Sequence, residues 1–108
     1  MSKQNETKFK EKVTERLKTF KHTWFVKIQQ LSVSGTPDFL ICLNGVFIAL
    51  ELKTDIGKVS KLQEYNLNKI AKCGGISIVL MPQNFDETMA FLDNVSQELV
   101  QLFDSDAH

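Results

Sequence analysis

Residues 39–50 read FLICL, Asn44-Gly45, VFIAL, two β-prone apolar runs joined by a dipeptide with narrow conformational needs. A two-residue type I′ hairpin holds both central residues at positive φ, and Asn-Gly is the strongest short signal for it. Fixing the turn fixes the register: 43 faces 46, 42 faces 47, and the pairing runs outward until 38 faces 51. Asp38 and Glu51 then become cross-strand neighbours on one face, with Cβ atoms roughly 4.5–5.5 Å apart. Strand alternation adds Lys53 to the same face, two residues beyond Glu51.

Like charges directly opposite one another destabilise a hairpin. Two readings follow. Either the carboxylates splay into solvent at a strand end with Lys53 screening them, or a bound cation neutralises them. Mg²⁺ favours such a place, because carboxylate oxygens are its preferred ligands. Both faces of the two strands are apolar, which predicts a sheet covered on both sides. Cys42, inside the first run, reads as a small core residue, and Cys73 is likewise read as structural. Neither has CxxC or Cys/His spacing, so no zinc set is expected.

Elsewhere the periodicity alternates between helix and strand. Phe9, Val13, Leu17 and Phe20 outline an amphipathic helix over about Thr7 to Phe20. Trp24, Phe25, Val26 and Ile28 suggest a short strand, followed by a loop from Ser32 to Thr36 closed by Pro37. After a polar loop at 54–59, Leu62, Leu67, Ile70 and Ala71 mark a second helix, with Gly74-Gly75 as its stop signal. ISIVLM (76–81) is a strand ended by Pro82. Met89, Leu92, Val95, Leu99 and Leu102 share one face of a third helix over 85–103. The order αβββαβα predicts an α/β fold with a central mixed sheet flanked by helices. No repeat, low-complexity tract or linker interrupts the 108 residues, which read as one domain, 1–108.

Charge adds less. Thirteen basic and thirteen acidic residues balance, which speaks against an all-over nucleic-acid-binding coat. The distribution is uneven: Lys3, Lys8, Lys10, Lys12, Arg16, Lys18, Lys21 and Lys27 crowd the first quarter, and acids gather in the last. A locally basic face or two solvated helix faces would both produce this. No apolar run approaches the ~20 residues of a membrane helix, and no membrane partner is expected. The polar, lysine-rich start is unlike a secretory signal, so the expected location is the cytoplasm.

Gly35-Thr36-Pro37-Asp38, twelve residues, then Glu51-Leu52-Lys53 resembles the PD-(D/E)xK nuclease superfamily. With the GxPD opening, the apolar hairpin between the halves and Gln63 on the following helix, the pattern is similar to the VRR-NUC branch. The likeness is to its minimal stand-alone form in phage and bacterial proteins, and it runs from about Phe9 to Leu80. The resemblance implies a restriction-endonuclease-like core and a Mg²⁺-dependent endodeoxyribonuclease. Asp38, Glu51 and the backbone carbonyl of Leu52 would hold Mg²⁺ or Mn²⁺. Lys53 would orient or help deprotonate the attacking water, or stabilise charge at phosphorus. His22 and His108 have no role in it.

Two implied roles have competitors. The family's first-helix acid could be Glu6, Glu11 or Glu15; Glu11, reaching the metal directly or through water, best fits the KFKEKV segment. Its alternative is a solvated helix face with i,i+4 charge pairs. Gln63 fits a catalytic role, but Ser60-Lys61-Leu62-Gln63 also reads as a capping box, and one side chain is expected to serve only one of these uses fully. Lys27, Ser34, Thr36, Lys58 and Lys61 are candidate DNA phosphate contacts. Trp24 could stack on a base, although an aromatic there reads first as core. The implied substrate is branched or otherwise structured DNA, such as a Holliday junction, cut by a homodimer. The rival readings are a non-cleaving DNA-binding module of the same fold and a nuclease without junction preference.

Overall fold

The structure, a computed structural model, describes residues 3–28, 35–54 and 59–106, with side chains for 5–28, 35–54 and 59–97. In chain order the elements are α1 (Lys3–Leu17), β1 (Thr23–Lys27), β2 (Phe39–Leu43), β3 (Val46–Leu52), α2 (Lys61–Lys72), β4 (Ile76–Leu80), a 3-10 turn (Pro82–Asn84) and α3 (Phe85–Asp106). The four strands form one mixed sheet in the order β1-β2-β3-β4. β1, β2 and β3 are antiparallel neighbours, and β4 returns through α2 to pair parallel with β3.

The hairpin has the register its turn dictates. Asn44 and Gly45 sit at φ 53° and 86°, and the pairs run from Leu43↔Val46 to Phe39↔Leu50. The turn is also tied to the last helix: Asn44 Nδ2 donates to the Ser96 carbonyl at 3.0 Å. Ser96 Oγ in turn donates to the Lys21 carbonyl at 2.9 Å. The turn residue thus satisfies its own amide while anchoring α3 at a buried point.

One face of the sheet carries the core. Phe39, Ile41, Leu43, Ile48, Leu50, Leu52 and Leu80 meet Phe9, Val13 and Leu17 of α1 and Phe85, Met89 and Leu92 of α3. The 3.6-residue apolar stripes of both helices therefore face the same side. α1 starts before Thr7 and ends at Leu17; Thr19 and Phe20 follow in i,i+3 turns that still deliver Phe20 to the core. Leu99 and Leu102 lie among side chains outside those described.

The opposite face departs from the sequence expectation. α2 covers it only over β3 and β4, where Ser77 Oγ donates to the Leu67 carbonyl at 2.8 Å. Over β1, β2 and the first residues of β3 it is open: Trp24 is 65% exposed, Phe47 of β3 45%, and the Cys42 thiol is exposed. Cys42 and Trp24 are therefore not core residues, and Cys73 at the end of α2 is exposed as well. With α1 and α3 both spent on one face, a single helix remains for the other. Among the described residues no helix is long and apolar enough to cross a membrane.

Candidate active site

The ladder between β2 and β3 ends at Phe39↔Leu50, and the next step is made differently. Asp38 keeps its backbone in the sheet, its carbonyl accepting from Ile28 N at 2.8 Å. Its side chain takes the place of a backbone acceptor on the other side: Leu52 N donates to Asp38 Oδ2 at 2.7 Å. This charge-assisted bond pins the carboxylate against β3, beside Glu51.

Glu51 is the unusual member of the pair. It is 3% exposed, on a strand whose other residues from Ile48 to Leu52 are all buried and apolar. Gln63 Nε2 donates to its Oε2 at 2.9 Å, and Lys53 Nζ stands 3.9 Å from the same oxygen. Its Oε1 is buried with no hydrogen-bond partner. Burial pushes the Glu51 carboxyl up to about 7, the charge of Asp38 adds to the rise, and Lys53 and Lys10 offset part of it.

These groups line one cavity of about 300 Å³, with Glu6, Phe9, Lys10, Asp38, Glu51, Leu52, Lys53, Thr54 and Gln63 in its walls. Asp38 just before β2, Glu51 and Leu52 at the end of β3, Lys53 just after it and Gln63 on α2 thus converge. Gln63 caps α2 and reaches Glu51 at the same time, because an amide has two ends. Its Oε1 accepts from Ser60 N at 2.9 Å while Ser60 Oγ accepts from Gln63 N at 3.1 Å, completing the capping box. Its Nε2 is left free for Glu51.

Other expectations shift. Glu11 is not in this cavity; it lies in a neighbouring recess with Thr7, Lys10, Lys27 and Ile28. Glu6 is the helix acid that reaches the carboxylate pair's cavity. Helical phase explains this, since Glu6 precedes Phe9 by three residues and Val13 by seven, whereas Glu11 is two from each. Thr36 stays in the GTPD loop with a contact of its own, and Lys61 is exposed on the first turn of α2. Ser34 and Lys58 lie outside the described residues. Sequence reasoning missed Lys10, whose Nζ stands 3.9 Å from Asp38 Oδ1. It also missed Asn66, whose amide donates to the Gly35 carbonyl at 2.9 Å and docks the GTPD loop on α2. The i,i+3 spacing of Gln63 and Asn66 was the available signal for the second.

Among the described residues no three or more His, Cys, Asp and Glu side chains gather as a metal cage. The pair nevertheless fits a hard divalent cation. One buried carboxylate oxygen lacks a partner and a second, partly exposed carboxylate stands beside it, so a cation there would offset the repulsion that helps raise Glu51. No protein-family model, curated protein or solved structure matches the chain.

Proposed function

We propose that the chain is a metal-dependent endonuclease of the PD-(D/E)xK type, close to the VRR-NUC branch, hydrolysing phosphodiester bonds in structured DNA. The observation that carries the reading is the unpartnered, buried Oε1 of Glu51 beside Asp38, in a cavity that also holds the Lys53 ammonium. The element order α1-β1-β2-β3-α2-β4-α3 is compatible with a restriction-endonuclease-like core and supports it.

Asp38, Glu51 and the Leu52 carbonyl would hold Mg²⁺ or Mn²⁺, with Glu6 rather than Glu11 on the helix side of the cavity. Such an ion supplies Lewis-acid polarisation of the phosphodiester and an acidified water. The protein's own groups do the rest. Asp38 is held by Leu52 N, and Glu51 by Gln63 Nε2, so neither carboxylate must reorganise on binding. Lys53, on the same face and within ion-pair distance of Glu51, is placed to stabilise charge developing on the phosphoryl oxygens or to orient the attacking water. A symmetric junction needs two cuts, and one cavity per protomer makes one, which argues for action as a homodimer.

The test is cleavage of four-way junctions, flaps and linear duplex in Mg²⁺, Mn²⁺ or EDTA, by the wild type and by Glu51→Ala. Metal-dependent cutting lost in Glu51→Ala is the expected result. Binding without any cutting on all three substrates would replace the enzyme reading with a non-cleaving DNA-binding module. Linear duplex cut as fast as junctions would remove the junction preference and leave the nuclease.

A further inference from the structure

The recess that holds Glu11 adjoins the carboxylate cavity, and Lys10 is a wall of both. Its volume is about 230 Å³, and its other lining residues are Thr7, Lys27 and Ile28. Lys27 closes the far side from the end of β1, half-buried, with no carboxylate ion pair among the described residues. An ammonium on the wall of a recess, with no ion-pair partner among the described residues, is open to an anion. Lys10 carries its charge between the recess and Asp38, 3.9 Å away. Glu11, the one carboxylate among the described residues of the recess, is exposed on the helix surface, where its charge is screened by water.

We propose that the Lys10–Lys27 recess is a phosphate-binding subsite for the nucleotide flanking the scissile linkage. It rests on the nuclease reading and extends it by giving the bound strand a direction. The strand runs from the carboxylate cavity, past Lys10, along α1 toward the end of β1. The ligand class is a polynucleotide backbone phosphate, read by charge rather than by base.

Two measurements test this with Lys27→Gln and the charge-preserving Lys27→Arg. First, binding of a fluorescent DNA duplex to protein in EDTA is followed by anisotropy between about 50 and 200 mM salt. Each phosphate contact contributes about 0.9 to the slope of log affinity against log salt, so Lys27→Gln should lose about that much and Lys27→Arg should keep it. Second, metal-activated hydrolysis of bis(p-nitrophenyl) phosphate, which has no flanking phosphate, should be unchanged in Lys27→Gln, while KM for DNA rises several-fold. An unaltered salt slope and KM in Lys27→Gln overturns the subsite. Equal losses on DNA and on the small diester also overturn it, because they mark damage to the carboxylate centre or the fold. If wild type hydrolyses neither substrate yet the slope difference stands, the nuclease reading fails and the phosphate site survives. Absence of DNA binding by the wild type at the lowest salt overturns both.

Discussion

Gln63 donates from Nε2 to Glu51 Oε2 at 2.9 Å while its Oε1 accepts from Ser60 N, also at 2.9 Å. The start of α2 and the orientation of a buried acid are thereby one arrangement. A helix that frays at its first turn releases the carboxylate, and a carboxylate that moves loosens the cap.

The two functions of Gln63 separate by substitution. Gln63→Glu keeps an N3 acceptor for the Ser60 amide but replaces the donor to Glu51 with a like charge. It should fold with α2 intact and lose phosphodiester cleavage by roughly ten- to a hundredfold, the worth of a hydrogen bond to a charged group. Gln63→Leu removes the side-chain half of the capping box as well, leaving the Ser60 amide without its acceptor, and should lower stability by about 1–2 kcal/mol in urea unfolding. Wild-type cleavage by Gln63→Glu would show that the donor is dispensable.

Glu51 should make metal-free stability depend on pH. Its folded carboxyl is raised from an ordinary 4.5 to about 7, so between those values the folded state holds a proton the unfolded chain has lost. Its contribution is full below pH 4.5, falls as pH rises through 7 and is gone above it, a change on the order of 3 kcal/mol. The difference between wild type and Glu51→Gln, from urea midpoints in EDTA at several pH values, isolates this group. At pH 8 the Gln variant should be the more stable protein. A pH-independent difference would contradict the raised carboxyl of buried Glu51.

Divalent cation should reverse that penalty. At pH 8, added Mg²⁺ should raise the melting temperature of the wild type with concentration, reaching about 2.7 kcal/mol of stabilisation at a hundred times Kd. EDTA should abolish the rise, and Glu51→Gln should show little of it. Equal responses in wild type and variant would place the ion elsewhere.

Gly35 is held between its backbone and α2. Its φ is +81°, and a Cβ added there would come within 2.7 Å of Leu62 Cγ and 2.9 Å of Asn66 Nδ2. Gly35→Ala should cost about 1–3 kcal/mol from backbone strain and overpacking together. It should also weaken the Asn66 bond that docks the Asp38 loop, so activity should fall further than stability alone explains. Thermal unfolding and cleavage rates on the same preparation distinguish the two losses.

The parts of this protein legible in its sequence are those governed by local rules. Asn44-Gly45 dictated the turn, the turn dictated the register, and the register brought Asp38 and Glu51 to one place. Ser60 and Gln63 announced the start of α2 in the same way. Trp24 and Cys42 were misread because a two-sided apolar strand implies a cover without saying whether a helix is available to provide it. The helix acid at the cavity was less legible, because helical phase, set by Phe9 and Val13, brings Glu6 there and places Glu11 in the neighbouring recess. The dual bonding of Gln63 required knowing which end of the amide faces the sheet, and that is a tertiary fact.

The substitution of a side chain for the last rung of the hairpin bears on how such a chain can vary in length. Twelve residues separate Asp38 from Glu51, two in the turn and five on each strand. Lengthening or shortening both strands together keeps the two acids opposite one another, so spacers that differ by an even number preserve the centre. A single inserted residue turns one acid to the far side of the sheet unless a bulge absorbs it. Relatives of this chain should therefore differ between their two acids by even-numbered insertions and deletions, with odd ones accompanied by a bulge between the carboxylates.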